Sequence, residues 1–377
     1  MLVGVLVAVM ATGFVGVRLI VAADGDISRF VVAGSDFVDP SAVDPPIHVF
    51  DSAGYDGQFY WRLAIDPGAR QLEPVHGARL DQPLRLSRVS YPTLAWLLAL
   101  GQPSLVVWSL VLVNIAMLGV IGGCSAAICR DRGIAPLHGV LVAMSSGLVM
   151  SMSRDLCEIV MVAGIVAGVL SLQRRRYTWA AAAFSLSVLA HEQALIVIGA
   201  LGLARIARFV TRRATPGRID LAWVVPLGAF GLWQVISGLL GDSVPVLGSG
   251  RQSLSAPFAG LVRAASEWVG GDLPRQSVLV FPQLILVVWI ALSAFRARRG
   301  LPEEERWLST ALALGSLVAV CLSYNVWKGP AELRQVVLVP VLGWLVLFGA
   351  RVRPERLLVI TSVAVCLATV GLRSLAV

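Results

Sequence analysis

Four short stretches of the chain carry residues whose types and spacing suit polar chemistry beside apolar surroundings. The first is Gly54-Tyr55-Asp56-Gly57-Gln58-Phe59-Tyr60-Trp61-Arg62-Leu63-Ala64-Ile65-Asp66-Pro67. It sets the Asp56 carboxylate among aromatics, with Tyr55, Gln58, Tyr60 and Arg62 as candidate substrate-binding groups. Pro67-Gly68 ends the short helix expected here. Its aromatic residues suit a helix lying at the headgroup level of a bilayer, where a lipid-linked substrate would arrive. A plain amphipathic surface helix is the alternative.

The second stretch is Ser153-Arg154-Asp155-Leu156-Cys157-Glu158-Ile159. Asp155 and Glu158 are spaced to share one face of a helix. Glu158 falls about a turn inside an apolar run, where an ionisable group usually faces a polar cavity or a partner. A helix-end ion pair between Arg154 and Glu158 is the plainer reading. The third, Ala190-His191-Glu192-Gln193, reads as a turn between two apolar runs; no second histidine follows at zinc-motif spacing. The fourth runs from Tyr324 to Arg334 and includes Lys328, Glu332 and Arg334. Either cation could neutralise a phosphate or simply anchor a helix at an interface.

The elements that position these stretches follow from composition. Hydrophobic residues make up 57% of the chain and charged residues 14%, and the mean hydropathy is +0.78. A soluble domain would expose too much of that apolar surface. Net charge is +8, but the basic residues lie scattered in short loops, which excludes a nucleic-acid-binding module. Lys328 is the single lysine, and with abundant Ala, Val, Gly and Arg this is the composition of a GC-rich bacterial genome. Cys124, Cys129, Cys157, Cys321 and Cys366 lie in or beside apolar runs and read as small packing residues.

The expected fold is all-α, a polytopic transmembrane helix bundle of about eleven spans in one domain over residues 1–377. The first apolar run, 1–23, reads as a retained anchor with its N-terminus in the cytoplasm. A long first extracytoplasmic loop, 24–89, follows, with ten acidic residues against six arginines and short interfacial helices. Further runs fall near 104–129, 135–153, 155–172, 178–191, 193–210, 220–240, 277–295, 307–325, 333–350 and 357–373. Arginines crowd every second loop, which orients the chain as a multi-pass plasma-membrane protein. All four stretches then fall on the outer side, together with a second large loop, 241–276, that holds Arg251, Arg263, Glu267 and Trp268. Residues 90–101 are too few to span and read as an interfacial or re-entrant helix. The two halves show no internal repeat.

At these residues the chain resembles the GT-C superfamily, polytopic glycosyltransferases that use lipid-phosphate-linked sugars. The nearest parallel is the mannosyltransferase group of the GPI-anchor type. Its pattern of W-D-x-x-x-F, then I-A, then a Pro-containing start of a helix is similar to Tyr55-Asp56, Phe59-Tyr60, Leu63-Ala64 and Tyr91-Pro92-Thr93-Leu94. Its Tyr-x-Glu-Ser segment resembles Asp155-Leu156-Cys157-Glu158, and a Lys-Glu-Thr segment of related enzymes lines up loosely with His191-Glu192-Gln193. Tyr55 replaces Trp, Gly57-Gln58 gives no D-x-D pair, and Cys157 is a departure. The Asp-Gly-Gln-Phe-Tyr form resembles a bacterial branch of the group. The likeness covers the topology of roughly residues 1–210.

The resemblance implies a transferase of the cell envelope whose partners are a polyprenyl-phosphate sugar donor, a glycan or glycolipid acceptor and membrane lipid. Asp56 is the expected general base. Arg334, Lys328 and Arg154, in that order, are the expected partners of the leaving phosphate. Glu158 and Glu192 would bind sugar hydroxyls or orient those cations, beside Asp155 and His191. A divalent metal would suit the carboxylate oxygens, but no ligand set is evident. Two other readings stand beside this one. One is a transporter or flippase for a lipid-linked or anionic solute; the other is a non-catalytic membrane scaffold.

Overall fold

The computed structural model describes residues 1–69, 71–240, 244–247, 254–271, 280–328 and 330–375. Arg251, and those parts of the 241–276 loop that fall between these ranges, lie outside them. The chain is mostly helical. Its helices are α1 (Leu2–Val21), α2 (Gly57–Ile65), α3 (Ser90–Leu98), α4 (Val106–Asp131), α5 (Gly139–Ala143), α6 (Ser146–Met152), α7 (Glu158–Gln173) and α8 (Tyr177–Ala190). The second half holds α9 (Ala194–Val210), α10 (Leu221–Leu240), α11 (Ala259–Gly270), α12 (Val280–Ala297), α13 (Trp307–Val320), α14 (Tyr324–Trp327), α15 (Leu338–Gly349) and α16 (Arg356–Leu375).

Four helical segments among the described residues are long and apolar enough to cross a membrane: Leu2–Val21, Pro103–Asp131, Arg218–Leu240 and Val280–Gly300. Four others are apolar but shorter: Glu158–Gln173, Tyr177–Ala190, Leu333–Gly349 and Arg356–Leu372. The expected run over 135–153 is two short helices, α5 and α6, because the chain leaves helical geometry at Met144-Ser145. The apolar helices are compatible with a membrane protein.

The bundle is built around α4, which packs against α1, α5 and α7, while α7 lies along α8. That last contact is close because Gly164 and Gly168 have no side chain. A Cβ at Gly164 would meet the Ala183 carbonyl oxygen at 2.5 Å, and one at Gly168 would meet the Phe184 ring at 2.4 Å. Helix pairs in apolar surroundings rely on such small-residue contacts. On the other flank α15 packs on α12 and α13, with Trp344 and Phe348 buried inside.

Residues 24–89 fold over one end of this bundle. A two-residue parallel pair, β1 (Ala33–Gly34) with β2 (Val49–Phe50), braces the loop. The nine residues of α2 are all buried beneath it. This corrects the expectation of a helix at headgroup level: α2's aromatic residues pack into protein, with Tyr60 and Trp61 wholly inaccessible. Helix α3 covers only nine residues, about 13 Å, too short to cross a bilayer. Pro103 and the positive φ of Gly101 separate it from α4.

Candidate functional site

Asp56 is the N-cap residue of α2, so the loop fold places its carboxylate at one end of the bundle. Gly57 makes that placement feasible. A Cβ there would lie 2.5 Å from the Arg154 carbonyl oxygen and 2.6 Å from that of Val31. Only glycine lets α2 start this close to two backbones.

Three guanidinium groups surround Asp56. Its Oδ2 lies 2.7 Å from Arg85 Nη1, 2.8 Å from Arg334 Nη2 and 3.8 Å from Arg88 Nη1. Each arginine is shared with a second carboxylate. Arg85 donates to both oxygens of Asp81, at 2.9 and 3.0 Å. Arg88 makes a two-point contact with Glu192, at 3.0 and 2.6 Å. Arg334 pairs with Glu158 and donates from Nε to the Tyr55 hydroxyl at 3.1 Å. The Arg154 guanidinium lies 4.6 Å from the centroid of the Tyr55 ring, so this ring is bounded by two cations.

The electrostatics follow from this pairing. Burial alone would raise the carboxyl pKa of Asp56, but Arg85, Arg334 and Arg88 together hold it well below the usual carboxylate range. Burial works the same way on Glu192, and Arg88 outweighs it and keeps that group ionised. His191 goes the other way: burial first, then Arg88, lowers its pKa to about 4, so the ring is neutral at working pH. The Gln193 backbone N–H donates to His191 Nδ1 at 3.2 Å, which puts the ring proton on Nε2. The side chains of Asp56, Glu192 and Asp81 are 16%, 23% and 25% exposed, while that of Glu158 is 1% exposed.

The structure gathers Tyr55, Asp56, Tyr60, Arg154, Glu158, His191, Glu192 and Arg334 at this end. Tyr60 lies deeper than expected of a substrate-binding group. Its hydroxyl accepts from Arg88 at 3.0 Å and from the Cys157 thiol at 2.9 Å, fixing the arginine from below. Two expected binding groups are instead consumed by the loop. Gln58 accepts from Gly34 N–H at 2.9 Å and donates to the Ala53 carbonyl at 3.0 Å. Arg62 donates to the carbonyls of Ala78, Gln71 and Glu73. A guanidinium whose Nε and Nη2 are spent on backbone carbonyls ties a loop together, and Arg62 Nη1 is buried without an acceptor among the described residues.

Asp155 and Glu158 do not share a helical face. Asp155 sits in a left-handed turn, φ +49°, before α7 begins at Glu158. It is fully buried towards Arg18 of α1, and neither carboxylate oxygen accepts a hydrogen bond within the described structure. The plainer expectation, an Arg154–Glu158 pair, gives way to Glu158–Arg334. Lys328 is exposed and donates to Asn325 Oδ1 at 3.5 Å.

Arg85 and Arg88 are the residues the sequence reading missed. Their signal was present: two arginines three apart in a loop with an acidic excess, immediately before the 90–101 segment. Among the described residues no cluster of three or more His, Cys, Asp or Glu side chains is placed to hold a metal ion. Each oxygen-bearing acid here faces guanidinium groups, which suits an anionic ligand better than a cation. No protein-family profile matches this chain, and no curated protein was found to resemble it.

Proposed function

We propose that the chain is an integral membrane glycosyltransferase that moves a sugar from a polyprenyl-phosphate donor to a glycan or lipid acceptor. In this reading the bundle spans the plasma membrane about eleven times and the Asp56 end faces the extracytoplasmic side. The observation that carries it is Asp56 bounded by Arg85, Arg88 and Arg334 at one end of an apolar bundle. A carboxylate for the acceptor proton and guanidiniums for the leaving phosphate are the two charges that such a transfer requires.

The acceptor oxygen attacks the anomeric carbon while its proton passes to Asp56. The bond from that carbon to the phosphate oxygen breaks, and the polyprenyl phosphate leaves as an anion. One displacement inverts the anomeric centre. Before the donor binds, the three arginines keep Asp56 a weak base. A phosphate that draws Arg85 and Arg334 towards itself strengthens Asp56 as it arrives, so base and donor are coupled through shared cations. An apolar groove of about 290 Å³, lined by Leu261, Leu284, Trp327, Val336 and Val339, opens close to Arg334 in the chain and suits a prenyl tail.

The test is transfer from a panel of radiolabelled polyprenyl-phosphate sugars to a membrane glycan and glycolipid extract, with the protein in nanodiscs. Wild type should transfer; a folded Asp56→Asn protein should lose about 10²-fold or more. Full transfer by Asp56→Asn removes Asp56 as the base. Absence of transfer by wild type across the panel favours a carrier of lipid-linked solutes, which the same nanodiscs test by donor translocation.

A further inference from the structure

The second large loop of the sequence contains α11, whereas the groups around Asp56 come from other elements. Its twelve residues rise about 18 Å, too short to cross a bilayer, and Arg263 and Glu267 lie among them. One side of the helix is fixed to the protein. Gly260 and the buried Ala264 face α14, and a Cβ at Gly260 would lie 2.6 Å from the Tyr324 backbone nitrogen. Glu267 accepts from the Tyr324 hydroxyl, and the Arg263 guanidinium lies 4.4 Å from the centroid of the Tyr324 ring. The Trp268 ring meets Phe281 of α12 at 4.6 Å between centroids, so α11 also touches the start of a helix long and apolar enough to span.

The remaining sides of α11 differ in chemistry. Phe258, Val262 and Val269 are spaced by four and seven residues and so fall within about 40° of one another. They are 53%, 66% and 90% exposed. Next to this stripe, Phe258 and Leu261 line the apolar groove of about 290 Å³, whose wall continues along α12 through the exposed Val288 and Leu292. Roughly 100° round the helix in the other sense, Ala259 and Arg263 border a cleft of about 470 Å³ with Ser255, Ser323 and Asn325.

This division identifies what covers the stripe. On the groove side α11 continues the apolar outer surface of α12, and on the cleft side it presents a cation, hydroxyls and an amide. A bilayer surface changes from acyl chains to headgroups and water across that same width. Helices that lie in the interface pair an apolar face with a charged one in this way.

We propose that α11 lies in the plane of the bilayer surface, with Phe258, Val262 and Val269 among the outer ends of the acyl chains and Arg263 at headgroup level. This rests on the membrane reading above and is independent of sugar transfer. The experiment places the photo-crosslinking residue p-benzoylphenylalanine at Val262, Val269, Arg263 or Leu232 of the full chain. Each protein is illuminated in nanodiscs of phosphatidylethanolamine and phosphatidylglycerol, and lipid adducts are read by mass spectrometry. Leu232, 62% exposed within α10, reports whether that span faces acyl chains. Val262 and Val269 are exposed enough for the fold to accept the probe. Acyl-chain adducts are expected at Val262, Val269 and Leu232 and are expected to be lost at Arg263. Adducts at Leu232 alone overturn the interfacial helix and leave the membrane reading standing. Crosslinks from Val262 or Val269 to a second copy of the chain assign the stripe to self-association and overturn it as well. Equal adducts at Arg263 and Val262 would sink the whole helix among acyl chains, against the proposal. No lipid adduct at any position overturns the membrane reading and the interfacial helix with it.

Discussion

Asp56 is held as an anion by the same groups that are proposed to receive the donor phosphate, and this sharing has measurable consequences. Removing Arg85 takes away the largest stabiliser of the Asp56 carboxylate, so its pKa must rise. The acid limb of kcat/KM in Arg85→Gln should therefore move to higher pH than in wild type, a shift read directly from the pH–rate profile. Stability has its own pH dependence through His191. Unfolded, this histidine titrates near 6.5; folded, near 4. Between those values the unfolded chain binds the extra proton, so stability is complete above about pH 6.5 and falls as pH drops towards 4. That loss is on the order of 3 kcal/mol for one buried imidazole. Melting temperatures of wild type and His191→Gln, measured from about pH 7 to 4, should show a shallower decline in the variant. At the deeper end, Arg334 is buried against Glu158, and among the described residues no other cation is recorded at hydrogen-bond distance from that carboxylate. Arg334→Gln should cost about 3–5 kcal/mol, because an uncompensated buried charge remains, and thermal unfolding in detergent measures this.

At the scale of elements, the site depends on where α2 begins. Gly57 abuts two carbonyl oxygens, and Gln58 pins α2 to β1 by hydrogen bonds to Gly34 and Ala53. Gly57→Ala should push the helix start away and take Asp56 out of reach of Arg334. It should reduce stability by about 1–3 kcal/mol, and transfer should fall further than stability alone explains. Comparing the melting temperature with the rate at saturating donor separates the two effects. The turn between α8 and α9 is fixed to the Arg334 segment by Gln193, whose side chain donates to the Gln335 carbonyl at 3.0 Å. The segments that carry Glu192 and Arg334 are thus joined by a hydrogen bond although far apart in sequence. The sequence had offered α2 as an interfacial helix because aromatic residues are equally at home at headgroups and in protein interiors. Residue types alone do not separate those two settings.

Across the whole molecule, charge divides between two ends. The Asp56 cluster occupies one. At the other, Arg132 pairs with Glu305, Gln173 donates to Glu305 at 3.3 Å, and Arg174 donates to Asp131 at 3.1 and 2.9 Å. Between the ends, helices meet through glycine contacts, so Gly164→Leu should separate α7 from α8 at a cost of at least about 2 kcal/mol and shift both ends at once. Size-exclusion behaviour and melting temperature in detergent would report it. The sequence by itself determined the mostly helical chain and the apolar runs, because composition and run length depend on residue type alone. It also singled out Asp56, Glu158, Glu192 and Arg334, because ionisable groups beside apolar runs are conspicuous there. Only the tertiary structure decided how these were paired. Glu158 reaches Arg334 across 176 positions and Asp56 reaches it across 278, separations that no local spacing rule can bridge. It also separated Gln58 and Arg62, spent on loop carbonyls, from the groups that face one another, and it brought in Arg85 and Arg88. The physical reason is that burial and pairing, not residue type, set whether a polar side chain holds the fold or remains available to a ligand.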